Sequence, residues 1–194
     1  MDEQFVSAAY SNVSWTAKLA GGIVAGLLAT VLMTGLLMTY SSKIGEAPTM
    51  PLKALGALAY GVEALIAGNA AVTIGAAIQL GFSLALGILF GLVMSRRTPI
   101  ILAMLLGIVI GVAIWVAMNL YVLPFMDPTM AARVALMPMA YFVAHVLFGI
   151  GLGTTPLFIR AFTPRTGRQT QRLEEPPELL AIKRDPLPLS EVRR

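Results

Sequence analysis

At 194 residues the chain is long enough for one soluble domain, but 57% hydrophobic and only 12% charged residues exclude a soluble globular protein. The formal charge is +4, and eight of the 14 basic residues lie from Arg160 onward, just beyond the last apolar run. That placement points to anionic lipid headgroups as partners and away from nucleic acid. Cysteine is absent, which removes disulfides, iron–sulfur clusters and thiolate chemistry.

No Asp, Glu, Lys or Arg falls within 19–42, 64–95, 98–126 or 134–159. Each interval can hold a bilayer span of about 20 residues. The expected fold is therefore an all-α integral membrane protein with four transmembrane helices. Residues 1–17 carry Phe5, Tyr10 and Trp15 among small polar residues and read as an interfacial arm. The segment lacks a compact basic region and a small-residue cleavage site, so no cleaved signal peptide is expected.

The transmembrane domain is placed at 18–160. Its first span, 19–40, sets Gly22, Gly26, Thr30 and Thr34 four residues apart, giving one helical face small enough for close approach of another helix. Pro48 and Pro51 then interrupt the helix. Residues 52–67 place apolar side chains at 52, 55, 58, 62 and 65 with Lys53 and Glu63 elsewhere. This predicts an external amphipathic helix, with a re-entrant segment as the alternative.

The second span, 72–94, repeats the spacing with Gly75, Gln79, Ser83, Gly87 and Gly91. Arg96 and Arg97 form a basic turn before Pro99 opens the third span, 100–122, where Gly107 and Gly111 precede Trp115 and Asn119 on one stripe. A fourth span follows at 135–158, with Arg133 near the interface and Tyr141, His145, Gly149 and Gly153 in line. Residues 161–194 contain five prolines amid mixed charge and read as a basic cytoplasmic tail suited to ordering on a partner.

With four spans, Arg96 and Arg97 share a side with Arg160, Arg165 and Arg168. These five are the expected headgroup-binding residues, and the positive-inside rule puts both termini in the cytoplasm. The spans also look duplicated. Gly22-Ile-Val-Ala-Gly, with Met33 seven residues on, parallels Gly107-Ile-Val-Ile-Gly with Met118, and Leu86-Gly-Ile-Leu-Phe-Gly parallels Phe148-Gly-Ile-Gly-Leu-Gly. Two tandem helix pairs form a parallel internal repeat in which Ser83 corresponds to His145.

The glycine-rich first helix, the external stretch with Met-Pro, the duplicated pair and the final His-x-x-x-Gly-x-x-x-Gly helix together resemble four-helix prokaryotic inner-membrane proteins of the YagU-like kind, over 19–160. The resemblance implies a four-helix membrane fold in the inner membrane and carries over no catalytic residue.

The eight glycines 22, 26, 87, 91, 107, 111, 149 and 153 are expected to pack helices. His145 stands near the middle of its span, where a polar group must find a partner inside the bundle, either a neutral amide, a hydroxyl or a backbone carbonyl. Gln79, Ser83 and Asn119 form with it a candidate polar site, and Thr30 and Thr34 are further potential partners. His145 could be a structural hydrogen bonder, a proton relay or a haem or metal ligand. Met33, Met118, Met137 and Met139 are the axial candidates for haem, but methionine also serves as plain packing, and no cofactor is expected. Catalysis finds no support: there is no intramembrane carboxylate, no phosphate loop and no dinucleotide fingerprint.

The sequence therefore points to a non-enzymatic accessory or scaffold subunit of a larger membrane complex, of a respiratory or other energy-converting kind, associating with other subunits or with itself. The alternative is a small oligomeric channel or transporter with its pathway near His145.

Overall fold

A computed structural model describes residues 14–163, which are helical apart from short turns. Helix α1 is Trp15–Lys43, with the Ser14 side chain accepting from the Thr16 amide as its N-cap. A short helix α2, Met50–Tyr60, continues into a tight 3-10 turn at Gly61–Leu65. Helix α3 is Asn69–Val93. Helix α4, Ile100–Ala117, passes through a π-helical turn, Met118–Val122, into the four-residue α5, Leu123–Met126. Helix α6 is Pro128–Leu136, α7 Pro138–Gly153 and α8 Thr155–Phe162.

Four stretches are long and apolar enough to cross a membrane: Trp15–Lys43, Asn69–Val93, Ile100–Met126 and Pro138–Phe162. At 1.5 Å per residue, 25 residues reach about 38 Å, more than the hydrocarbon thickness of about 30 Å. The first and last spans are the central ones, 39% and 50% buried, against 22% and 17% for the second and third. Helix α1 packs on α3, α7 and α8, and α4 packs on α7. Helices α3 and α4 have no extensive packing with each other and instead flank a cleft.

Glycine decides how close the helices come. A Cβ on Gly87 would meet the Gly22 carbonyl and stand 2.9 Å from the Gly26 Cα; one on Gly26 would meet the Ser83 carbonyl. On the other pair, a Cβ on Gly149 would meet the Gly107 carbonyl, and one on Gly111 would meet the His145 carbonyl. Between the pairs, a Cβ on Gly151 would stand 2.6 Å from the Ala29 Cα. These backbone contacts form a seam through the half of the bundle that holds the 94–99 turn. All eight glycines predicted to pack helices have backbone within contact of a Cβ placed on them.

Prolines account for the irregular turns. Pro124 offers no N–H to the Leu120 carbonyl and crowds it, and the helix widens into its π-turn just before that point. Pro156 likewise has no N–H to give the Leu152 carbonyl, which takes a backbone N–H at the helix cap and, at 2.6 Å, the hydroxyl of the buried Thr155. Pro138 starts α7, so Arg133 belongs to a separate helix, and the span placed at 135–158 begins at 138. The third span extends to Met126 rather than ending at 122.

Residues 52–67 divide into α2 and the 3-10 turn. Helix α2 packs closely on α3, where a Cβ on Gly56 would meet the Ala71 carbonyl and one on Gly75 the Leu52 carbonyl. Most of the 1–17 arm, the 161–194 tail beyond Thr163, and with it Arg165 and Arg168, lie outside the described residues.

Candidate functional site

The half of the bundle away from the glycine seam is hollow. A cavity of about 80 Å³ is lined by Met33, Thr34 and Leu37 of α1, by Pro51, Leu52 and Leu55 of α2, by Gln79 of α3, and by Trp115, Met118 and Asn119 around the π-turn. Tyr141 and His145 of α7 complete the wall together with Leu123, Met130 and Val134. A second hollow of similar size shares Met33, Leu55, Gln79, Met118 and His145 with it and occupies the cleft between α3 and α4, adding Phe82, Ser83, Leu86, Ile114 and Phe148.

The structure thus brings His145, Gln79 and Asn119 to one cavity and places Ser83 in the adjoining cleft. Among the described residues no hydrogen bond joins their side chains to one another. His145 Nδ1 lies 2.8 Å from the Tyr141 carbonyl of its own helix. A carbonyl oxygen only accepts, so Nδ1 carries the hydrogen, and in the neutral ring Nε2 keeps its lone pair. Asn119 donates through Nδ2 to the Trp115 carbonyl at 2.7 Å, and the Ser83 hydroxyl donates to the Gln79 carbonyl at 2.8 Å. Thr30 likewise donates to the Gly26 carbonyl. Each of these side chains turns to the carbonyl one helical turn back, the partner always within reach of a short polar residue in a helix. The exception is Gln79, whose Nε2 contacts the Met33 sulfur at 3.5 Å. Trp115 packs edge-on against Phe142 with ring centroids 5.3 Å apart, and its buried indole N–H has no partner among the described residues.

Beside the cavity stands a polar cluster that the sequence reading missed. Arg133 of α6 is 9% exposed; its Nε donates to the Tyr141 hydroxyl at 3.1 Å, Nη1 to Glu46 Oε1 at 3.1 Å and Nη2 to the Ser41 hydroxyl at 2.9 Å. Nη2 also pairs with Glu46 Oε2 in a forked ion pair. Burial opposes the charge on Arg133, but Glu46 and Tyr141 together outweigh it and hold the guanidinium above its ordinary value. The cluster ties the end of α1 to α6 and α7, through hydrogen bonds between residues up to 92 apart in sequence. The available signal was one arginine, Arg133, in the loops of the side that also holds Glu46 and Glu63.

Asp127 is also buried, at 1% exposure. Its Oδ1 caps α6 by accepting from the Met130 amide at 2.9 Å, while Oδ2 has no partner among the described residues. Desolvation raises its pKa above the usual aspartate value, against the lowering by the Met130 and Thr129 amides.

At the opposite end, Arg160 donates through Nε to the Arg96 carbonyl at 2.7 Å and through Nη2 to the Thr98 carbonyl at 2.9 Å. Its expected role at lipid headgroups therefore shares the guanidinium with a structural one, tying α8 to the 94–99 turn. Lys18 donates to the Leu92 carbonyl at the same end. Among the described residues no group of three or more His, Asp or Glu is placed to hold a metal. Of the haem-ligand candidates, Met33 and Met118 line the cavity with His145, whereas Met137 and Met139 do not.

A family of unknown function, DUF6789, matches residues 16–166. The chain belongs to that family. The match takes in all four spans, the Arg133 cluster and the cavity of this DUF6789 chain, and stops short of most of the proline-rich tail. No curated protein and no solved structure matches it.

Proposed function

We propose that this DUF6789 chain is a non-enzymatic accessory or scaffold subunit of a larger membrane complex, in a prokaryotic inner membrane. The observation that carries the reading is the uneven burial of its spans. Helices α1 and α7 are fixed centrally by backbone contacts, while α3 and the span containing α4 are only 22% and 17% buried and leave broad apolar faces to neighbouring helices or lipid. Gentle detergent extraction followed by mass spectrometry should recover a stoichiometric membrane partner, or a defined homo-oligomer. A chain that is consistently monomeric and alone in native lipid would overturn the reading.

Orientation belongs to the same proposal. Lys18, Arg96, Arg97 and Arg160 cluster at one end with no acidic residue among the described residues there, whereas the other end balances Lys43, Lys53 and Arg133 against Glu46, Glu63 and Asp127. The basic end is the cytoplasmic one by the positive-inside rule, which places both termini inside. The parallel internal repeat is supported by matching contacts: Gly22 meets Gly87 as Gly107 meets Gly149, and Gly26 meets the Ser83 carbonyl as Gly111 meets that of His145. The likeness to YagU-like proteins is part of this reading and assigns no residue a role.

A second reading, a small-solute pathway past His145, is favoured by the cavity that gathers His145, Gln79 and Asn119. The glycine seam closes the bundle on the far side of that cavity, so conduction requires the seam to part. Flux into liposomes that depends on pH and disappears in His145→Leu would support it; flux unchanged by the substitution would remove it.

A further inference from the structure

The hollow half of the bundle has an unspent set of polar groups. His145 uses Nδ1 on the Tyr141 carbonyl and leaves Nε2 as a lone-pair acceptor with no partner among the described residues. Asn119 uses Nδ2 and leaves Oδ1. Gln79 reaches only a thioether sulfur, a weak acceptor. These three line one cavity, and no Asp, Glu, Lys or Arg is among its lining residues.

Size and chemistry together narrow the occupant. The cavity measures about 80 Å³, whereas a single water needs about 10–15 Å³ on that scale and two to four polar partners. Water filling the space would face mostly apolar wall. A charged ligand would lack a counter-charge, since Arg133 is already bound to Glu46, Tyr141 and Ser41. His145 and Gln79 also line the cleft between α3 and α4, where Phe82 is 56% exposed on the apolar surface of the span.

We infer that this cavity binds a neutral, largely apolar molecule carrying a hydroxyl donor, of the phenol or fatty-alcohol type, which enters from the bilayer through the α3–α4 cleft and gives its O–H to His145 Nε2. The site goes beyond the subunit reading and requires no partner chain, so the two fail in separate experiments.

The chain contains its own reporter. Trp115 lines the cavity and the other tryptophan, Trp15, is 69% exposed at the start of α1, so Trp15→Phe leaves Trp115 as the sole indole. The full chain bearing Trp15→Phe is placed in nanodiscs and titrated with 4-bromophenol, with 4-bromoanisole, which lacks the hydroxyl, and with a bromoalkanol, each a heavy-atom quencher. Saturable quenching is expected for one or both hydroxyl probes, and the stronger of the two separates an aromatic from an aliphatic source. The anisole should bind about 2- to 10-fold more weakly than the phenol, the worth of one neutral hydrogen bond.

His145→Leu should abolish the difference between phenol and anisole. Leu55→Phe, which adds bulk from α2 to the wall of both hollows and leaves the His145 side chain in place, should remove saturation. Linear quenching by all three probes, equal affinities for phenol and anisole, or discrimination that survives in a folded His145→Leu protein overturns the proposal. Should His145→Leu fail to fold, saturable binding left unchanged by Leu55→Phe overturns it equally.

Discussion

Gly149→Ala tests the seam most directly. The added methyl would stand 2.6 Å from the Gly107 carbonyl carbon and 2.7 Å from the Ile108 Cα, with the carbonyl oxygen nearer still. Carbon atoms rest at about 3.5–4.0 Å, so α4 and α7 must separate by roughly 1 Å. Both opposing groups are backbone, and no rotamer change relieves the clash. Overpacking of this kind costs about 1–3 kcal/mol. Alanine's helical advantage of about 1 kcal/mol works in the opposite direction. A net loss of about 1–2 kcal/mol is expected, towards the upper part of that balance because the whole interface must move. Gly35→Ala and Gly81→Ala are internal controls: nothing lies within 4 Å of a Cβ at either position. The helical advantage stands alone there, and both should stabilise by up to about 1 kcal/mol. SDS titration of the purified variants in mixed micelles, followed by far-UV circular dichroism, compares them. The reasoning is refuted if Gly149→Ala is as stable as Gly81→Ala. Gly149→Leu should go further and prevent assembly of the bundle.

The Arg133 cluster makes its own demands. Arg133→Met strips the donor from the Tyr141 and Ser41 hydroxyls, each only 1% exposed, and should cost about 2–4 kcal/mol in the same titration, at 1–3 kcal/mol per orphaned buried group. Glu46→Gln should cost less, because the carboxylate it replaces is 32% exposed and partly hydrated. Asp127 has a raised folded-state pKa, so folding favours its protonated form. Its contribution to stability is full below the ordinary aspartate value and is lost as pH rises through the folded value. Asp127→Asn keeps a good cap for α6 and removes that dependence, so thermal melts should show it gaining on wild type as pH rises from 4 to 8. Finally, a cysteine-free chain suits single-cysteine labelling. Glu63→Cys should react with an impermeant maleimide from outside intact cells and Arg96→Cys should not; the reverse pattern inverts the orientation.

The sequence disclosed what depends on composition along the chain and little of what depends on distance across it. Four charge-free intervals mark the spans, because a bilayer taxes every unpaired charge in the same way wherever it lies. Glycine spacing named the contact faces, since a residue without Cβ at every fourth position leaves one helical face bare. It could not supply the register that sets Gly107 against Gly149. The cluster of Ser41, Glu46, Arg133 and Tyr141 stayed hidden because each member reads alone as an ordinary interfacial or helical residue. For His145 the sequence leaves amide, hydroxyl and backbone carbonyl open as partners, and the structure gives it the carbonyl one turn back. Arg160 was read as facing headgroups because the sequence shows its charge and not the Arg96 and Thr98 carbonyls that receive it.

The glycine seam also sets where the molecule can yield. Backbone against backbone leaves no side chain to rearrange, so the helices at the basic end behave as one clamped block. At the other end α1, α6 and α7 are tied through one arginine, and α2 lies as a wedge beside the empty space. The Arg133 cluster thus does through side chains at that end what bare backbone does at Gly22, Gly87, Gly107 and Gly149.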